Sequence, residues 1–241
     1  MKHLLLTIIA ISFLNSQTIN LAVAANASSV VNELIKSYKK NHKNIKFHIA
    51  VGSSGKLSAQ IINKAPYDIF LSANETYPKE LKKRGIGVGE SIIYAKGALA
   101  LFSTKDSNIS LNSLTSQKIK KIAIANPKTA PYGEAAKEAL INLKLYNKLK
   151  PKFIYGQSIG QTLIFTLKAA NIGLVAKSQL FSKELKKYKK GKNWIEIDSN
   201  LYNPISQAML LLNSKQEVKE FFQFLQSKEA KDIFLANGYK E

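Results

Sequence analysis

The sequence predicts an α/β fold built as two lobes, and three observations carry that expectation. Short apolar strands alternate with segments of helical spacing along the chain. Four short turns rich in Gly, Ser, Asn, Pro or Tyr each follow a strand and precede a helix-like segment. A long strand-like run near 95–98 and a returning strand near 204–207 give the chain places to cross between two groups of strands. Alternation of this kind favours largely parallel pairing.

In order, residues 19–24 read as a buried strand. Residues 29–41 follow with Val30, Val31, Leu34, Ile35 and Tyr38 at helical spacing. Residues 45–51 alternate as a second strand, 57–65 form a helix, and 68–72 a third strand. The segment 77–84 is a helix ended at Gly85. The run 92–102 is strand-like, interrupted at Lys96-Gly97. A short helix at 114–118 precedes a strand at 121–126, a helix at 131–143, a strand end at 153–156 and a helix at 158–170. A strand at 172–176 leads to a helical segment at 177–189, polar on its outside. Strands at 194–197 and 205–212 lead to one final helical region, 215–235, with Val218, Phe221, Phe222, Phe224, Leu225 and Phe234 on its apolar side. The phenylalanines are expected in the core. The resulting division is 18–96 with 206–241 as the first lobe and 97–205 as the second.

Residues 1–17 have the features of an export signal: Lys2 and His3, then an apolar run from Leu4 to Leu14. That run is shorter than the roughly 20 residues a bilayer span needs. Ala22-Val23-Ala24 has a small-x-small pattern, but cleavage there would remove the first strand, so a cut near Ser16 or Gln17 is expected. With no cysteine among 241 residues, a disulfide, a thiolate metal site, a thiol nucleophile and a lipidated cysteine are excluded. Export without such an anchor points to a periplasm.

The formal net charge is +20. Lysines are spread over helix faces and Arg84 is the only arginine. Nucleic-acid readers favour Arg for bidentate contacts, and the lysine runs are not interleaved with aromatics, so no nucleic-acid partner is expected. A basic solvated surface draws anions from a distance. His42 and His48 have no partner at metal-ligand spacing. Gly52-Ser53-Ser54-Gly55 does not meet the Gly-x-Ser-x-Gly elbow and has no evident base, so neither an enzyme nor a cofactor is expected.

The four turns are Ala25-Asn26-Ala27-Ser28, Gly52-Ser53-Ser54-Gly55, Ala130-Pro131-Tyr132-Gly133 and Gly156-Gln157-Ser158-Ile159. A helix start presents N–H groups without an internal partner and the positive end of the helix dipole, which suits an anion. In open α/β sheets, ligands bind beyond the carboxyl ends of strands. Two turns in each lobe would therefore face a common cleft. Their centres hold no charged residue apart from the nearby Lys56, which indicates neutral donors and a small oxyanion.

These turns and their flanks resemble the molybdate-binding proteins of bacterial ABC importers. The resemblance is carried by residues 22–27, by 52–74 from Gly-Ser-Ser-Gly-Lys to Leu-Ser-Ala-Asn, by 124–140 with Ala-Pro-Tyr-Gly-Glu, by 161–175 with Asn-Ile-Gly-Leu-Val, and by 202–207. It spans nearly the whole chain after the signal, in order. It implies a type II periplasmic binding protein fold with two lobes, a two-strand hinge and a tetrahedral oxyanion in the cleft. Carried over position by position, it implies ligand contacts from Asn26, Ser54, Tyr132 and the backbone N–H of Ile159. Some members place a tyrosine hydroxyl where this chain has Ala176, and Tyr132 is expected to supply the missing group from the opposite direction. The implied partners are molybdate or tungstate and a membrane permease, with the receptor a monomer.

Molybdate is a dianion with four acceptor oxygens and no proton at neutral pH. The Asn26 amide and the Ser54 and Tyr132 hydroxyls can donate to it, with the N–H groups of Ser54, Tyr132 and Ile159. Hydrogen bonds to a charged acceptor contribute roughly 1.5–3 kcal/mol each, so about six of them, less ordering costs, reach nanomolar affinity. Hydrogen phosphate would require an acceptor, and the turn centres lack Asp and Glu. Glu134 reads as a first-turn carboxylate serving its own helix, and Ser53 and Ser158 as caps. Alternatives are a receptor for sulfate or another tetrahedral oxyanion, and a basic secreted adhesin for anionic polymers.

Overall fold

The computed structural model describes residues 17–105 and 109–241. Residues 1–16 of the expected export signal lie outside the described residues. The first sheet has the order β2-β1-β3-β10-β4, formed by β1 (Gln17–Ala24), β2 (Ile45–Gly52), β3 (Ile69–Leu71), β4 (Val88–Gly97) and β10 (Ile205–Leu211). The second has the order β7-β6-β8-β5-β9, formed by β5 (Leu99–Phe102), β6 (Ile122–Ala125), β7 (Phe153–Gly156), β8 (Ile172–Ala176) and β9 (Trp194–Glu196).

Both sheets are covered on two faces, which is why their central strands read as continuous apolar runs. Ile19, Leu21, Ala22 and Val23 of β1 are all fully buried. One face packs on α1 (Ser28–Tyr38), α7 (Gln216–Phe224) and α8 (Lys228–Ala236), through Val31, Leu34, Phe221 and Phe234. The other packs on α2 (Ser54–Ile62) and α3 (Thr76–Lys83), through Leu57, Ile61 and Leu81. In the second lobe, α4 (Pro131–Asn142) seats Ala135, Ala136 and Ala139 on β6 and β8, and Leu163 of α6 (Ile159–Lys168) lies under the opposite face.

Several expectations are corrected. Pairing is mixed rather than largely parallel: β1 and β6 pair parallel with their neighbours, whereas β5 and β10 pair antiparallel. The antiparallel strands flank the two crossings between lobes, where the chain runs out and back. The first crossing breaks at Ala98 rather than at Lys96-Gly97, since β4 continues to Gly97. The segment 177–189 is a 3-10 turn, Lys177–Phe181, followed by turns and no α-helix. It buries Leu180 and Leu185 but carries six exposed lysines between 183 and 192, whose mutual repulsion disfavours a helix. The final helical region divides at 225–227, where Ser227 accepts from the Ala230 N–H and caps α8. The segment 114–118 is a 3-10 turn at Leu111–Thr115, and α2 starts three residues before the expected position because Ser53 caps it. A short helix, α5 (Tyr146–Leu149), went unread.

The chain's end reinforces the crossings. Lys96 and Lys240 exchange backbone hydrogen bonds of 3.0 and 2.8 Å, laying the tail beside β4. The Lys240 Nζ then reaches Glu196 of β9 at 2.5 Å, and Lys177 reaches the same carboxylate at 2.9 Å. A tail anchored on the first sheet is thereby tied to the second lobe.

Candidate functional site

Each of the four turns sits where a strand hands over to a helix. β1 ends at Ala24 and continues through a 3-10 turn, Ala25–Ala27, into α1; β2 ends at Gly52, before α2. β6 ends at Ala125, a short loop before α4; β7 ends at Gly156, before α6. Parallel pairing of β1 with β2 and of β6 with β7 puts each pair of strand ends side by side. Asn26, Ser54, Tyr132 and Ile159 all line one cavity of about 10 Å³ between the lobes. This is on the order of one water-sized sphere, too small for a sugar or peptide. Every residue lining it is neutral.

Larger cavities lie elsewhere, about 400 Å³ between β4 and α8 and about 870 Å³ beside α1 and α8. They do not gather the four turns, so the small cavity is the better candidate despite its size. A polar recess of about 230 Å³ holds Glu75, Glu134 and Glu138. Glu134 is exposed there and belongs to the first turn of α4, outside the neutral cavity.

Ser54 is nearly fully buried, and its Oγ accepts from the Ala73 N–H at 2.9 Å. That bond uses a lone pair and leaves the hydroxyl proton available. Ser54 and Ile159 are first residues of their helices and Tyr132 is the second of α4, so their N–H groups have no intrahelical acceptor. Ser53 and Ser158 cap these helices, accepting from Lys56 N–H and Gln161 N–H. Gln179 holds the start of α6 against β8: its Nε2 donates to the Ile159 carbonyl and its Oε1 accepts from the Ala176 N–H.

The lobes meet directly around this cavity. The Gly55 N–H donates to the Thr129 carbonyl at 3.0 Å, and the Ser178 hydroxyl donates to the Asn26 carbonyl at 3.1 Å. A Cβ at Gly55 would lie 2.6 Å from the Tyr77 hydroxyl and 3.0 Å from the Thr129 oxygen. A Cβ at Gly97 would overlap the Tyr132 hydroxyl. Close approach therefore requires glycine at both positions.

Asn26 is arranged differently from a simple cavity donor. Its Nδ2 donates to Gln207 Oε1 at 2.8 Å and to the Tyr239 hydroxyl at 3.0 Å. The Tyr132 hydroxyl accepts from Gln207 Nε2 at 3.1 Å. Burial raises the Tyr132 and Tyr94 hydroxyls well above the usual tyrosine range, and it raises Tyr239 to about 12. All three are neutral donors or acceptors at physiological pH. Sequence reasoning missed Gln207 and Tyr239 as part of this region. The available signal was a Gln inside the apolar strand 205–211, since a polar side chain there must find partners. Among the described residues no group of three His, Asp or Glu could hold a metal ion.

Three comparisons bear on this architecture. Residues 19–240 match the family of bacterial extracellular solute-binding proteins. The chain is 35% identical over 226 residues to the molybdate-binding protein ModA of Rhodobacter capsulatus, covering 90% of this chain and 86% of that one. It is 34% identical over 230 residues to ModA of Azotobacter vinelandii, covering 92% and 89%. The solved periplasmic molybdate-binding protein of Azotobacter vinelandii superimposes with a TM-score of 0.85 at 30% identity, over 92% of this chain and 99% of that one.

Proposed function

This chain belongs to the bacterial extracellular solute-binding protein family, and from that premise we propose that it captures molybdate in the periplasm for an ABC importer. Tungstate, nearly the same size, is expected to compete. Delivery runs to a membrane permease that recognises the two lobes brought together.

The observation that carries the reading is convergence of helix starts from both lobes on one neutral cavity. A dianion there would meet the helix-dipole ends and N–H groups of Ser54, Tyr132 and Ile159, the Ser54 hydroxyl, and Asn26. Among the described residues no carboxylate and no cationic side chain lines the cavity. Neutral donors bind by geometry and leave release possible once the lobes part. Hydrogen phosphate would need an acceptor for its proton, which this lining supplies poorly. Likeness to the two ModA proteins, which bind molybdate by name, supports the choice of ion.

The test is titration calorimetry of the purified protein with molybdate, tungstate and sulfate. We expect submicromolar binding of the first two and displacement of sulfate by either. Absence of heat with both at micromolar protein ends the proposal.

A further inference from the structure

The Asn26 carboxamide is in an arrangement ill-suited to an anion. Both hydrogens of its Nδ2 are committed, to Gln207 Oε1 and to the Tyr239 hydroxyl. Its Oδ1 is buried with no partner among the described residues. Asn26 is only 3% exposed and lines the cavity. The partners that hold Nδ2 lie on β10 and the C-terminal tail, so trigonal geometry turns Oδ1 away from them. A carbonyl oxygen beside a dianion repels it, whereas an NH2 group in the same place would donate.

Gln207 is the group that fixes this choice. It is fully buried on β10. Its Oε1 accepts from Asn26 Nδ2 and from the Tyr94 hydroxyl, each at 2.8 Å, and its Nε2 donates to the Tyr132 hydroxyl. Every one of these partners has a second option. The Tyr94 hydroxyl also lies 3.2 Å from the Ser72 carbonyl. The Tyr132 hydroxyl can donate as well as accept. The Tyr239 hydroxyl already lies 3.1 Å from the Asn26 carbonyl and can instead donate to Oδ1. Half-turns of the two carboxamides exchange oxygen and nitrogen with almost no change in shape. Asn26 Oδ1 then accepts from Gln207 Nε2, Gln207 Oε1 accepts from Tyr132, and Tyr94 donates to Ser72. Asn26 Nδ2 takes the place of the orphaned oxygen.

We propose that Gln207 is a positioning residue for the anion, and that the Asn26 and Gln207 carboxamides turn together so that Asn26 Nδ2 donates into the cavity. The inference rests on the reading of the cavity as an oxyanion site. In the turned arrangement the Tyr132 hydroxyl donates a hydrogen bond to Gln207 Oε1 and Tyr132 offers the anion its backbone N–H. The hinge strand thus senses the cavity through a polar chain that only an amide, donor and acceptor at once, can complete.

The test pairs a variant with a direct readout, using molybdate as the probe. Gln207→Glu presents acceptors only when ionised, which holds Asn26 in the present orientation. Its molybdate affinity is expected to fall up to tenfold per pH unit above the pKa of the new carboxyl, which burial raises, while the unaltered protein stays flat. In ¹⁵N–¹H spectra of the unaltered protein, the side-chain NH2 signals of Asn26 and Gln207 should shift together as molybdate saturates the site. Wild-type affinity in the variant once its new carboxyl is ionised overturns the proposal, and so does an unmoved Gln207 signal at saturation. Failure of the unaltered protein to bind molybdate would instead sink the functional reading on which the proposal depends.

Discussion

Ser54 shows how much one side chain can carry. Its oxygen accepts from the Ala73 N–H, so the hydroxyl is oriented with its proton to spare. If it donates to a dianion, Ser54→Ala removes a charge-assisted bond of about 1.5–3 kcal/mol and weakens molybdate binding by about 10- to 150-fold. Calorimetry on the variant checks this, and an affinity within threefold of the original would remove Ser54 from the site. The tyrosines set the pH response. Burial holds Tyr94, Tyr132 and Tyr239 neutral far above physiological pH. No cavity-lining group then changes charge in the neutral range, and molybdate affinity should be level from pH 6 to 9. A break in that profile would reveal a titrating contact that the neutral lining lacks.

At the scale of elements, glycine placement decides how closely α2 can approach the loop before α4. The Gly55 N–H reaches the Thr129 carbonyl across the cleft. An added Cβ would stand 3.0 Å from that carbonyl, so Gly55→Ala should hold the lobes apart. The same change favours α2 itself by up to about 1 kcal/mol, since alanine is the better helix former. Displacing Tyr77, whose hydroxyl would lie 2.6 Å from the new Cβ, offsets that gain, so the expected result is a melting temperature within a few degrees of the original together with faster molybdate release by stopped flow. A larger loss of melting temperature would show that Gly55 serves the fold rather than closure.

Across the whole molecule, the C-terminal tail joins the lobes a third time. Burial opposes the charge on Glu196, but hydrogen bonds from Lys240 and Lys177 outweigh it and lower its pKa. A carboxylate with a depressed folded pKa contributes stability that is present above the unfolded value of about 4.3 and is lost as pH falls through the folded value. Glu196→Gln should therefore lower stability at pH 7, and the deficit should shrink as pH falls below about 4. The difference in denaturation midpoint across that range is the measurement, and a gap of equal size at both ends would refute the linkage. The pair is partly exposed, so high salt should narrow the gap at pH 7.

How much was legible follows from the range of each interaction. Alternation of apolar runs with helical spacing made the strands and most helices readable, because burial on two faces forces that pattern locally. The starts of α4 and α6 were readable because Pro131 and Ser158 act on backbone groups within a few residues, whereas α2, capped by Ser53, starts three residues before the expected position. The division of the last helix at 225–227 was less readable, since buried apolar residues resume at Ala230 after Leu225 and only the Ser227 cap marks the break. Strand direction was not legible, for β5 and β10 take theirs from partners far along the chain. The sequence by itself determined four turns with uncharged centres between strand and helix, and the resemblance nominated Asn26, Ser54, Tyr132 and Ile159 as their donors. Only the tertiary structure decided which way the Asn26 amide faces, because Gln207 and Tyr239 lie 181 and 213 positions from it and meet it through the folding of both lobes.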